Sequence, residues 1–302
     1  MTAASAVAAR PAWRAWILAA RPATLPAAIV PVIVGSAAAV HGGHEFHERP
    51  FVAAILAALL IQIGTNFAND VFDFRRGADT AERLGPVRVT QSGLLTPRQV
   101  LMATYLIFGL AVLVGLYLVR LGGWPILAIG VLSILAGLGY TGGPWPTGYH
   151  GLGDLFVFVF FGLLGVIGSA YLQTHQVTSL DVWAAIPVGL LVTAILVVNN
   201  LRDIDTDRQV GKHTLAVRIG RRGTRVQYAA FVLGAYLVLP WLWLQGMLGG
   251  LFWLPWLSLP LGVALVRFVS RSEGRALNVA LKRTGQLHLL FGLLFAASLW
   301  LS

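Results

Sequence analysis

Cysteine is absent from all 302 residues, which excludes disulfides, thiolate metal sites and cysteine nucleophiles. Charge is scarce as well. Asp, Glu, Lys and Arg make up 11% of the chain, against about a quarter in an ordinary soluble domain, so a water-covered globule is excluded. Apolar residues fill the gap: 57% of the chain is hydrophobic and mean hydropathy is +0.76, the composition of a polytopic membrane protein. The Ala-rich segment Met1–Pro11 carries no cleavable signal pattern, because the apolar stretch after Arg21 runs on long enough to span.

A helix crosses the hydrocarbon core with about 20 apolar residues. That criterion predicts an all-α polytopic membrane bundle of about nine transmembrane helices around a central cavity, as a single domain over 1–302. The spans fall near 22–40, 51–69, 100–119, 123–141, 153–172, 182–200, 226–245, 250–268 and 286–301. The last is short, and Gly- and Trp-rich sequence around 241–256 blurs the seventh into the eighth.

The net charge of +10 brings nucleic acid to mind, but its placement points to topology. With an inside N-terminus, all but Arg49 and Arg120 of the 22 basic residues fall on the inner side, from Arg10, Arg14 and Arg21 to Lys282 and Arg283. Such asymmetry is the positive-inside pattern of a cytoplasmic face, and no nucleic acid is needed to explain it. The acids are as uneven. Asp70, Asp73, Asp79 and Glu82 follow the second span, and Asp203, Asp205 and Asp207 follow the sixth.

These two acid clusters carry the chemistry. Helical neighbours stand three and four residues apart, so Asn66, Asp70 and Asp73 share a face at the inner end of span 2, beside Asn69. Asn199 or Asn200, Asp203 and Asp207 share one at the end of span 6. Clustered carboxylates near hydrocarbon repel one another, and a hard cation relieves the repulsion. Mg²⁺ in particular is held by one or two carboxylates plus substrate phosphates. Two acidic faces, each followed by Arg or Lys, suit a clamp on a diphosphate that stabilises the charge it gains on leaving. A solvated helix end accounts for either cluster alone; two similar clusters, four spans apart and both inside, favour the clamp.

The segment Asn69–Asp79 resembles the first Asp-rich motif of the UbiA superfamily of intramembrane prenyltransferases, and Asp203-x-x-x-Asp207 with Gly211-Lys212-His213-Thr214-Leu215 resembles the second. Within the superfamily, four stretches are similar to the branch that prenylates 1,4-dihydroxy-2-naphthoate in menaquinone synthesis. They are Arg21–Pro26, Glu82–Gly93, Tyr140–Asp154 and Asn199–Asp203. The resemblance implies a Mg²⁺-dependent enzyme that uses a polyprenyl diphosphate and an aromatic acceptor, releasing carbon dioxide, a proton and diphosphate. Asp70, Asp73, Asp203 and Asp207 would hold Mg²⁺, with Asp79 a further participant. Asn66 and Asn200 would orient the site, and Arg21, Arg76 and Lys212 would contact the diphosphate. It also implies a bacterial inner membrane, with the site facing the cytoplasm.

Other signals have plainer alternatives. Tyr140–Gly153 reads as a loop lining the acceptor pocket or as a simple turn, Gln91 as a substrate contact or a loop cap, and Asp154 as a cap on the helix dipole. His41, His44 and His47 read as an outer loop rather than a metal site, and His213 as a solvated loop residue. The competing class is an ion-coupled transporter, whose sites lie near the bilayer midplane on broken helices. Both clusters here sit at span ends, and 4-hydroxybenzoate or homogentisate are the alternative acceptors within the enzyme class.

Overall fold

The computed structural model describes residues 12–79 and 84–302; Arg10, Glu82 and Arg83 lie outside the described residues. Those residues form helices and connecting turns, with no strand among them. In chain order the helices are α1 (Ala12–Ala20), α2 (Pro26–His41), α3 (Glu48–Arg75), α4 (Pro97–Gly139), α5 (Gly153–Thr174), α6 (Ser179–Gln209), α7 (Leu215–Leu244), α8 (Leu259–Arg271) and α9 (Leu277–Leu301).

Local sequence sets the ends. Thr96 caps α4 in a reciprocal box with Gln99, and Thr178 caps α6 in the same way with Asp181. Each box satisfies backbone donors that the first helical turn leaves open. Arg21, in the left-handed region at φ 51°, turns the chain from α1 into α2, which diverge by 48°. Within α4, Gly123 adopts φ 69°, a conformation glycine tolerates without steric cost. The 43-residue helix is therefore two segments meeting at a corner.

Among the described residues, six helices are long and apolar enough to cross a membrane, or seven if α1 and α2 act as one bent span. The chain is an integral membrane protein. The expected count of nine is not reproduced by that measure, for two physical reasons. The broken α4 counts once although it covers two expected spans, and α8, at 13 residues, is too short alone. Lipid-facing surface is plain on α4, where Trp124 is 78% exposed.

The interior lies around α6, α7 and α9, where Leu191, Leu201, Tyr228, Phe291 and Phe295 are almost fully buried. Close helix approach relies on small residues. A Cβ on Gly162 of α5 would stand 2.6 Å from the Gly189 Cα of α6. Beside that contact α5 widens into a π-helical stretch, Phe158–Leu164. On the far side of the bundle the outer loop is fastened, with His47 N–H donating to Gln173 Oε1 at 2.7 Å and His41 Nδ1 bonded to the Leu299 carbonyl at 3.0 Å.

Candidate functional site

The ends of α3 and α6 meet over a polar cavity of about 200 Å³. Asp73 and Asn69 reach it from α3, and Asn199, Asn200, Asp203 and Asp207 from α6. Arg21, Tyr140 and Lys212 complete the expected residues in its wall. Thus nine of the sequence candidates are brought together across more than 180 residues of chain.

Asp73 is the centre of the α3 side and is 2% exposed. Its carboxylate accepts from Arg88 Nη2 at 3.0 Å and from the Tyr149 hydroxyl at 2.8 Å, and Lys212 Nζ stands 3.6 Å away. Arg88 also reaches Asp79, Nε to Oδ2 at 3.3 Å. Burial first, then the charge of Asp73 and the hydrogen bond to it, push the Tyr149 phenol above its ordinary value. Tyr149 therefore remains a protonated donor. Its ring also lies under Lys212, with Nζ 4.6 Å from the centroid. The Lys212 loop is aimed by its backbone: Lys212 N–H donates to the Asp207 carbonyl and His213 N–H to the Tyr149 carbonyl.

Asp70 differs from its neighbour. Its two oxygens accept the backbone N–H groups of Val89 and Thr90 at 3.2 and 3.0 Å, and it does not line the cavity. It pins the segment that carries Arg88 across the end of α3. Asn66, expected to orient the site, instead donates to the Ala20 carbonyl and to Thr24 Oγ1, each at 3.0 Å, and so holds the α1–α2 corner. Arg76 turns away from the cavity to the carbonyls of Thr141 and Gly143. It fixes the loop after α4, helped by Thr141 donating to Asn69 at 2.8 Å. Asp79 and Gln91 are also outside the cavity wall.

The α6 side is built differently. Arg202, with a fully buried side chain, grips Asp203 at both oxygens, Nε to Oδ1 at 2.8 Å and Nη2 to Oδ2 at 2.5 Å. The same guanidinium donates to Asn199 at 2.9 Å and to Asn278 of α9 at 2.7 Å. Asn278 in turn donates to the Leu84 carbonyl at 2.9 Å, tying the first acidic loop to α9. Asp154 lies in the first turn of α5, as a cap would, yet its oxygens go to side chains. Gln227 Nε2 donates at 2.6 Å and Asn200 Nδ2 at 3.5 Å, so its burial is compensated between helices and not by the α5 backbone.

Periodicity assigns no role to Arg88, Tyr149 or Arg202, nor to Thr24 and Gln62, which line the polar cavity and are joined by a hydrogen bond from Gln62 Nε2 to Thr24 Oγ1 at 3.1 Å. Arg88 and Arg202 stood within the quoted motifs, and a buried acid demands a partner, which is a usable signal. Tyr149 also lies within one of those stretches, Tyr140–Asp154, but a phenol carries no charge that demands a partner, and only the folded loop brings it to Asp73.

No group of three or more Asp, Glu or His side chains among the described residues could hold a metal ion alone. The donor set is nonetheless hard oxygen, and it faces cations across an open cavity. That suits a cation shared with a phosphate ligand, the usual manner of Mg²⁺. A second cavity of about 260 Å³, walled mainly by apolar residues of α2, α3, α4 and α5, adjoins the first. Tyr140, Val157 and Phe161 line both.

The profile of the UbiA prenyltransferase family matches residues 28–290. Over 296 residues the chain is 40% identical to 1,4-dihydroxy-2-naphthoate octaprenyltransferase of Escherichia coli (strain K12), with 96% of each chain covered. The fold is shared with a UbiA homologue from Aeropyrum pernix K1 in its apo form, at a TM-score of 0.69 and 16% identity, covering 90% of this chain and 96% of that one. It is shared too with a UbiA homologue from Archaeoglobus fulgidus bound to DMAPP and Mg²⁺, at a TM-score of 0.64 and 13% identity, covering 94% and 98%.

Proposed function

The chain belongs to the UbiA prenyltransferase family, and on that premise we propose that it transfers a polyprenyl group from its diphosphate to 1,4-dihydroxy-2-naphthoate, in menaquinone synthesis. One observation carries the reading. A cavity lined by Asp73, Asp203, Asp207, Arg21 and Lys212 shares Tyr140, Val157 and Phe161 with an adjoining apolar one, so an anionic head and an isoprenoid tail each find a matching wall. The relative of 40% identity bears the name of that acceptor.

Asp73, Asp203 and Asp207 would hold Mg²⁺, with Asp70 acting through the Arg88 segment it pins. Bound there, Mg²⁺ would neutralise the diphosphate and ease its departure. Lys212, Arg21 and Arg88 donate to the diphosphate oxygens, charge-assisted contacts that strengthen as the group leaves. The neutral Tyr149 keeps Asp73 turned toward the cavity. Overall, the acceptor acid and a prenyl diphosphate become the prenylated naphthalenediol, carbon dioxide, diphosphate and a proton. The basic residues concentrated on one side support a cytoplasm-facing site in a bacterial inner membrane.

The test is to incubate membranes carrying the protein with Mg²⁺, octaprenyl diphosphate and each aromatic acid in turn, identifying products by mass. Demethylmenaquinol from 1,4-dihydroxy-2-naphthoate is the expected product. A product from 4-hydroxybenzoate or homogentisate alone would overturn the acceptor assignment.

A further inference from the structure

The two cavities differ in chemistry and meet at three residues, Tyr140, Val157 and Phe161. A prenyl diphosphate is divided in the same way, and its reacting carbon, C1, joins the anionic half to the hydrocarbon half. Seating each half against its matching wall puts C1 at that junction. Two of the three residues there are aromatic.

We infer that the rings of Tyr140 and Phe161 form a collar around C1 that stabilises its developing positive charge and keeps water from it; this rests on the prenyl-transfer reading. As the C1–O bond breaks, its electron pair leaves with the diphosphate. The vacant orbital on C1 then takes a pair from the acceptor ring carbon, and the carboxyl group departs as carbon dioxide with release of its proton. Between those events the charge has no carboxylate in the apolar wall to meet it. An aromatic face attracts a cation through its quadrupole, most strongly where water is excluded.

Both rings are held. Tyr140 ends α4, and its carbonyl accepts the Gly148 N–H at 2.9 Å. A Cβ on Gly148 would stand 3.0 Å from Tyr140 Cε1, and one on Gly153 2.8 Å from its hydroxyl, so two glycines make the slot the ring occupies. Phe161 projects from the π-helical stretch, next to the Gly162–Gly189 contact that locks α5 on α6. Single π turns recur at functional positions because they redirect one side chain.

The test substitutes mono-, di- and trifluorophenylalanine at position 161, and phenylalanine with its fluorinated series at position 140. Diphosphate release and the ratio of prenyl alcohol to prenylated product are read for each. Fluorine weakens the ring face at nearly constant shape, so log kcat falls stepwise along both series, to about tenfold below the unfluorinated ring. Tyr140→Leu and Phe161→Leu lose about tenfold in rate or more and divert product to the alcohol. A flat series, with the unsubstituted protein active, overturns the collar and leaves prenyl transfer standing. An unsubstituted protein that releases no diphosphate overturns both.

Discussion

The two acid clusters end similar helices but are held by opposite means. At the end of α3, the partners of Asp73 come from far along the chain: Arg88, Tyr149 and Lys212 arrive on three separate loops. At the end of α6, the grip on Asp203 comes from the adjacent residue, Arg202, within the same helix. The first half of the site thus depends on loops closing over a helix end, whereas the second is built into the helix and braced by Asn278 of α9. Two carboxylates that line one cavity can therefore differ widely in what supports them.

The largest effect tests what the clusters share. Asp73→Ala and Asp203→Ala should each lower diphosphate release by about 10²–10³-fold at saturating Mg²⁺, the range for removing a group that stabilises transition-state charge. Near-normal turnover in either variant would remove it from the machinery. The next effect divides the clusters. Arg202→Met leaves Asp203 buried without its cation, which typically costs about 3–5 kcal/mol, seen as a lower thermal midpoint in detergent. Lys212→Met, at a pair 3.6 Å apart and with an 18% exposed side chain, should cost less than about 1 kcal/mol and raise KM for the prenyl diphosphate instead.

A smaller change targets the loop-built side alone. Tyr149→Phe removes one hydrogen bond to a buried carboxylate, worth about 1.5–3 kcal/mol where the acceptor is charged. It should raise the Mg²⁺ concentration needed for half-maximal rate, and Gln227→Ala, which removes a hydrogen bond to Asp154 and none to Asp73, should leave that concentration unchanged. Smallest is Asn66→Ala, which loosens the α1–α2 corner. About 1 kcal/mol of stability should go, with kcat within about twofold on the premise that a residue outside the reacting cavity acts only on stability; a larger fall in kcat would return Asn66 to the site.

Much of the site was legible because helical period and cluster composition survive folding unchanged. Asp73, Asn69, Asn199, Asn200, Asp203 and Asp207 line one cavity, as their spacing at two span ends predicts. The same period could not separate Asp70 from Asp73, which share a face yet serve different partners. That distinction depends on where the 88–90 segment lies, a matter of loop path. Arg76 and Asn66 take partners that periodicity does not foresee for a related reason: a polar side chain at a helix end satisfies whichever acceptor packs nearest, and those acceptors belong to other elements. The π stretch in α5 was invisible too, since one shifted hydrogen-bond register leaves no compositional trace.

Composition and periodicity were enough to establish a lipid-embedded helical protein with two acid-bearing termini. Hydrocarbon admits few structures and penalises every unpaired charge, so both features are written in residue type and order. The convergence of those termini, and the choice of Arg88, Tyr149 and Lys212 as partners of Asp73, came only from packing. Contacts between residues so far apart in the chain depend on how helices and loops settle together, and no local pattern encodes them.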